Sequence, residues 1–123
     1  MARARPKVLV VDDYPDALEM LLQALSLAGF EAIGASNGLE AVQQAVAHKP
    51  DAIVMDVFMP VMDGIEAARR IRAQPGLRDV PIIACTARSG PLEAEADLFT
   101  LTTLKPCPPD RMLAALAQVL PAT

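Results

Sequence analysis

Short, unbroken apolar runs alternate along this chain with longer stretches in which leucine, alanine or valine recurs every three or four residues. The first kind suits strands buried on both faces of a parallel sheet, and the second suits amphipathic helices laid over it. Lys7 to Val11 is such a run and predicts a first strand, ending in Asp12 and Asp13. Tyr14-Pro15-Asp16 then opens a helix, with proline tolerated in the first turn and the acid at the positive end of the dipole. Leu18, Leu21, Leu22 and Leu25 repeat at helical spacing, and Gly29 supplies the stop. That stripe is core packing and implies no cofactor.

The same rhythm continues. Phe30 to Ala35 predicts a second strand, Ser36-Asn37-Gly38 a turn, and Leu39, Val42, Ala45 and Val46 a helix ending near His48-Lys49-Pro50. His48, the one histidine, lies in that last turn and reads as an exposed residue or a partner of the helix dipole. Asp51 to Asp56 predicts a third strand around Ile53, Val54 and Met55, followed by Met59-Pro60 and Asp63-Gly64. Gly64 to Ala73 carries a helix, broken at Gln74-Pro75-Gly76. Val80 to Thr86 is a fourth strand, with Pro81 acceptable only near its start. Leu92 to Leu98 allows only a short acidic helix, Phe99 to Leu104 a fifth strand, and Pro108-Pro109-Asp110 opens a last helix with Met112, Leu113, Leu116 and Leu120 facing the core. Strands alternating with helices predict βαβ units, hence an α/β three-layer sandwich around a parallel five-stranded sheet.

Composition narrows this picture without redirecting it. The 123 residues suit one domain, and 53% hydrophobic residues argue for a folded chain with a real core. Aromatics make up 3%, so that core must be aliphatic. A formal net charge of −4 argues against a general nucleic-acid surface, and Arg3, Arg5 and Lys7 read as a solvated terminus. No apolar run is long enough to span a bilayer and no secretory segment follows Met1, so a cytoplasmic protein is expected. Cys85 and Cys107 lack metal-ligand spacing; Cys85, inside an apolar run, reads as a small buried hydrophobe.

The candidate chemistry lies in where polar residues fall. Strand one ends in Asp12-Asp13, strand three in Asp56, strand four in Thr86 and strand five runs into Lys105. Right-handed parallel crossovers put these ends on one edge of the sheet. Clustered carboxylates repel unless a cation joins them, and hard oxygen ligands suit Mg²⁺ sharing its site with a phosphate. Asp56 could then attack a phosphoryl group to form an aspartyl-phosphate, with Lys105 neutralising one phosphoryl oxygen and Thr86 donating to another.

With Val-Val-Asp12-Asp13, Met55-Asp56, Met59-Pro60, Asp63-Gly64, Thr86-Ala87 and Lys105-Pro106 in this order, the chain resembles the receiver domain of two-component response regulators over roughly Lys7 to Leu120. The resemblance implies a flavodoxin-like (βα)5 fold with strand order 2-1-3-4-5. It also implies a single receiver domain over 1–123 with no output domain of its own. Asp56 would be the phosphate acceptor. Asp12, Asp13, Asp56 and the backbone carbonyl of Phe58 would hold Mg²⁺, Thr86 would be the switch hydroxyl and Lys105 the lysine of the site. Lys105-Pro106 is usually joined by a cis peptide in this family. The phosphodonor would be a phosphohistidine on a sensor histidine kinase or histidine phosphotransfer protein. The chain would then act on a downstream protein effector, or on a second copy as a homodimer, without contacting nucleic acid or membrane. It would be no enzyme beyond its own phosphorylation and dephosphorylation.

Several positions depart from the family pattern. The aromatic often found three residues before the lysine is Thr102 here, and Phe99 does not match its register. Cys107 replaces the aromatic that often follows Lys-Pro, and Thr86 to Lys105 is a few residues short, which implies a shortened fourth helix. These changes predict intact phosphorylation chemistry with a remodelled output surface. Phe58 and Arg88 would flank the phosphate, where Phe58 either shields an acyl phosphate from water or packs on the loop. A degenerate receiver serving as a phosphorylation-independent interaction module is the alternative, but it has no physical need for the charge cluster. A phosphatase of the haloacid dehalogenase type would need an acid at Phe58.

Overall fold

Strand residues with no polar atom to offer water must be covered on both sides, and that requirement sets the layers. The computed structural model describes residues 5–57, 61–86, 98–105 and 107–120. The elements are β1 (Lys7–Val11), α1 (Pro15–Leu27), β2 (Glu31–Ala35), α2 (Gly38–His48), β3 (Ala52–Asp56), α3 (Gly64–Arg72), β4 (Ile82–Thr86), β5 (Leu101–Leu104) and α4 (Pro109–Val119). All strand pairs are parallel, in the order β2-β1-β3-β4-β5.

Alternate residues of each strand feed two cores. Leu9, Val11, Ile53, Met55, Ile82 and Ala84 meet Ala41 and Ala45 of α2 and Ala67, Ala68 and Ile71 of α3. Val8, Val10, Val54, Ile83 and Cys85 meet Leu21 and Leu25 of α1 and Met112, Ala115 and Leu116 of α4. The expected leucine stripe is thus half of one core, with Leu18 and Leu22 only partly buried beside it.

Element ends move by one or two residues, each for a local reason. Phe30 belongs to the close of α1: its N–H donates to the Leu25 carbonyl at 3.0 Å, while Gly29 turns the chain at a φ of 101°. Asn37 is the N-cap of α2, its Oδ1 accepting from Glu40 N at 2.8 Å, and Gly38 is already helical. Lys49 closes α2 in the left-handed region with its N–H on Ala45 O, the work Gly29 does elsewhere. Val80 and Pro81 stay outside β4, although the Pro81 carbonyl accepts from Ile53 N at 2.9 Å. Phe99 precedes β5 and is buried in the core beside α3.

Arg5, expected in a solvated terminus, is exposed but donates to the Phe30 carbonyl at 2.8 Å. The short fourth helix expected over 92–98 lies outside the described residues except for Leu98, which packs on the α2–α3 side. Phe58, Pro60, Arg88 and Pro106 also lie outside them. No helix among the described residues is long and apolar enough to cross a membrane.

Candidate functional site

The strand order reverses direction between β1 and β3, and open α/β sheets place ligands in the crevice beyond the carboxyl ends of strands at that point. Asp12 directly follows β1, and its N–H extends the sheet by donating to Ala35 O at 3.1 Å. Its Oδ1 accepts from Tyr14 N at 2.9 Å, so the carboxylate also shapes the entry to α1. Asp13, the next residue, is exposed. Asp56 ends β3 and is 3% exposed. The three carboxylates each place an oxygen within 4.8 Å of the others.

Lys105 follows β5, where its N–H donates to the Thr86 carbonyl at 2.8 Å. Its Nζ donates to Asp56 Oδ2 at 2.9 Å across the end of β4. Thr86 is the last residue of β4 and is buried. The five side chains singled out from the sequence therefore occupy one edge. Gly64 lies against the end of β3: its N–H donates to Val57 O at 2.7 Å, and a Cβ on Gly64 would collide with the Asp56 carbonyl oxygen. Asp63 is used as a cap, its Oδ1 accepting from Glu66 N at 2.9 Å.

Burial lifts the Asp56 carboxyl above its ordinary value, and the Asp12 charge adds to it, against the opposing pull of Lys105. Burial works against the Lys105 ammonium, but its hydrogen bond and attraction to Asp56 outweigh that and hold it above an ordinary lysine. Carboxylates crowded around one ammonium leave excess negative charge. Oxygen donors alone, close together and partly open to water, are the set that suits Mg²⁺.

A cleft of about 690 Å³ runs from Asp12, Asp56 and Lys105 between α1 and α4. Tyr14, Met20, Cys85, Cys107 and Pro109 line it, and the sequence reading assigned none of them to the site. Tyr14 and Met20 are 62% and 52% exposed. Only the position of Tyr14 beside the acidic pair could have flagged one of them.

Comparison with known proteins points to one family and its fold. The family model described as response regulator receiver domain matches residues 8–117. The transcriptional regulatory protein PrrA of Mycobacterium tuberculosis is 45% identical over 98 residues, covering 75% of this chain and 41% of that protein. The chain thus spans about two-fifths of that relative's length. The chemotaxis protein CheY4 of Vibrio cholerae superposes with a TM-score of 0.89 at 34% identity, covering 95% of this chain and 100% of that one. The receiver domain of the sensor histidine kinase PA1611 of Pseudomonas aeruginosa, solved with a magnesium ion in its active-site cleft, gives a TM-score of 0.83 at 31% identity. That match covers 94% of this chain and 98% of the other.

Proposed function

Because the chain belongs to the response regulator receiver domain family, we propose that Asp56 accepts a phosphoryl group from a phosphohistidine on a kinase or phosphotransfer protein. The observation that carries this reading is the pairing of a buried strand-end carboxylate with Lys105 at 2.9 Å inside a cluster of two further carboxylates. One Asp56 oxygen would attack phosphorus. The Lys105 ammonium, bound to the other, is within reach of a transferred phosphoryl oxygen. Thr86, at the adjoining strand end, is the hydroxyl that would meet the phosphoryl group and report its arrival. Positioning and charge neutralisation do most of the work in such a transfer.

Asp12, Asp13 and Asp56, with the Phe58 carbonyl, are the residues that would hold Mg²⁺. When bound, the ion supplies positive charge that offsets the carboxylates and the incoming phosphoryl oxygens. Asp12, buried and fixed to Tyr14 N, sets the geometry, while exposed Asp13 gives the more adaptable ligand. The chain would catalyse only its own phosphorylation and dephosphorylation. Its read-out would be a changed protein–protein contact, with no nucleic-acid contact of its own. Thr102 is exposed on β5, so an inward-swinging aromatic plays no part at that position.

The test is incubation with Mg²⁺ and acetyl phosphate, followed by intact mass measurement, on wild type and Asp56→Asn. Wild type should gain one acid-stable, base-labile phosphoryl group and the variant none. A wild type that takes up nothing, and whose fluorescence or NMR spectrum is unchanged by Mg²⁺ with beryllofluoride, would overturn the reading.

A further inference from the structure

Two nucleophilic side chains stand beside this site and have no part in the function proposed above. Cys85 is the penultimate residue of β4, 5% exposed, and its register partner on β3 is Asp56. Its register partner on the other side, in β5, is Thr103. Cys107 follows β5, two residues beyond Lys105, and its Sγ lies 2.9 Å from the Thr103 hydroxyl. Cys107 therefore lies over the strand pair that carries Cys85. The two thiols pack in the same core, line the same cleft, and are both reduced.

Their environments differ in a way that suits unequal roles. Cys107 is half-buried at the cleft wall, where a small reagent can reach it, and Cys85 lies behind it. The Cys85 thiol, against the effect of burial, and then the Thr103 hydroxyl and the positive charges of Arg111 and Lys105 lower the Cys107 thiol to about 6, which favours its thiolate. Cys85, buried on β4, is the less accessible of the two thiols. A reactive thiol reachable from solvent beside a buried second thiol is the arrangement of an attacking and a resolving cysteine.

We propose that Cys107 and Cys85 form a peroxide-responsive thiol pair that closes into an intramolecular disulfide beside the phosphoryl site. In the first step the Cys107 thiolate attacks a peroxide oxygen and the O–O bond breaks. This leaves Cys107 as a sulfenic acid and, with hydrogen peroxide, releases hydroxide that is protonated to water. The Cys85 sulfur then attacks the Cys107 sulfur: the S–S bond forms, the S–O bond breaks, and the hydroxyl departs as water with the Cys85 proton. The pair loses two protons and two electrons, and one hydrogen peroxide is reduced to two waters. A cysteine pair of this kind works as a transient sensor even where the compartment keeps thiols reduced.

A consequence rests on the phosphoryl reading. Cys107 is two residues from Lys105, whose Nζ is held on Asp56 Oδ2 at 2.9 Å, so closing the disulfide pulls on the backbone that positions this ammonium. The closed form should take up phosphate more slowly.

The experiment exposes the full chain to hydrogen peroxide at neutral pH, blocks remaining thiols by alkylation, and maps mass and cysteine state. Wild type should lose two hydrogens and both alkylatable thiols as a monomer. Cys107→Ser should oxidise about tenfold more slowly or less. Cys85→Ser, or Cys85→Ala should the serine fold poorly, should stop at a Cys107 sulfenic acid that a cyclic diketone traps. Oxidation of wild-type Cys107 no faster than free cysteine, or ending in a stable sulfenic acid or a dimer, would overturn the pair. This readout needs no phosphoryl transfer, so it stands if Asp56 proves unreactive. In a separate measurement, oxidised wild type should accept phosphate from acetyl phosphate several-fold more slowly, with recovery on reduction, and Cys107→Ser should show no response to peroxide. Equal rates before and after oxidation would remove the coupling to Lys105.

Discussion

The two edges of the sheet use the same charged residue types for opposite ends. At the amino edge, Asp51, Lys49 and Arg72 close backbone bonds. Asp51 Oδ2 accepts from Lys7 N at 2.7 Å, and Lys49 Nζ donates to Pro75 O at 2.8 Å. Arg72 donates to the carbonyls of Leu98, Arg78 and Val80 at 2.8–2.9 Å, tying the end of α3 to the start of β4. Its hydrogen bonds end on main-chain carbonyls, which do not titrate, and the nearby Asp79 charge adds an attraction. At the carboxyl edge, among the described residues, three carboxylates face one another and a single ammonium. Among the described residues no buried side-chain oxygen or nitrogen lacks a partner, so this edge is satisfied in hydrogen bonds. What it lacks is charge balance. An edge whose bonds end on backbone holds the fold, and an edge with surplus like charge is ready for a cation and an anion arriving together.

The sharpest way to break this contrast is to exchange the losses. Asp56→Asn should lower phosphoryl uptake from acetyl phosphate at least about a hundredfold, since the nucleophile is removed outright. Arg72→Met, at the other edge, should leave uptake within about twofold of wild type; a large loss there would show that the edges are not separable.

Stability should respond the other way round. Arg72→Met keeps the apolar stem but strands three carbonyls, so urea unfolding should show a loss of about 2–3 kcal/mol. One carboxyl-edge position should behave like the amino edge: Gly64→Ala forces a methyl onto the Asp56 backbone and should cost about 1–3 kcal/mol.

Mg²⁺ at about ten times its dissociation constant should stabilise wild type by about 1.4 kcal/mol in thermal unfolding. The gain should shrink in Asp13→Asn and be absent with Ca²⁺-free, Mg²⁺-chelated buffer. Equal stabilisation of wild type and Asp13→Asn would place the ion elsewhere.

The smallest expected effect is a pH dependence. The Asp56 carboxyl is held above its ordinary value of 3.8, chiefly by burial. A raised value means that the folded state favours the protonated form. That contribution is complete below the unfolded value and is lost as pH rises through the folded one. At neutral pH and without Mg²⁺, Asp56→Asn should therefore be more stable than wild type. The gain should fade as pH drops towards 4, and a gain that grew on acidification would contradict the sign.

Much of this was legible in the chain itself. Apolar runs of strand length cannot be solvated, so their alternation with helical stripes already dictated a parallel sheet covered on both faces. Each polar residue of the site falls at the end of such a run, which places it on the carboxyl edge before any distance is known. Other residues were misjudged because their meaning depends on a distant partner. Arg72 was only one more position inside the predicted Gly64 to Ala73 helix, yet it reaches carbonyls near β4 and β5. Asp63 entered only as part of the family pattern, and its role as the cap of α3 shows only in the fold. Cys107 read only as a departure from a pattern, because nothing local shows that Thr103 and Cys85 lie against it.

By itself, then, the sequence determined the layers, the strand order through its family pattern, and the edge on which Asp12, Asp13, Asp56, Thr86 and Lys105 gather. Periodicity and strand ends are local properties, and local properties are written in consecutive residues. Only the tertiary structure decided the 2.9 Å contact between Lys105 and Asp56, the cleft between α1 and α4, and the meeting of Cys85 with Cys107. These depend on how far β4 and β5 run and on how the chain turns after them, and those quantities are set by packing between segments far apart in the chain.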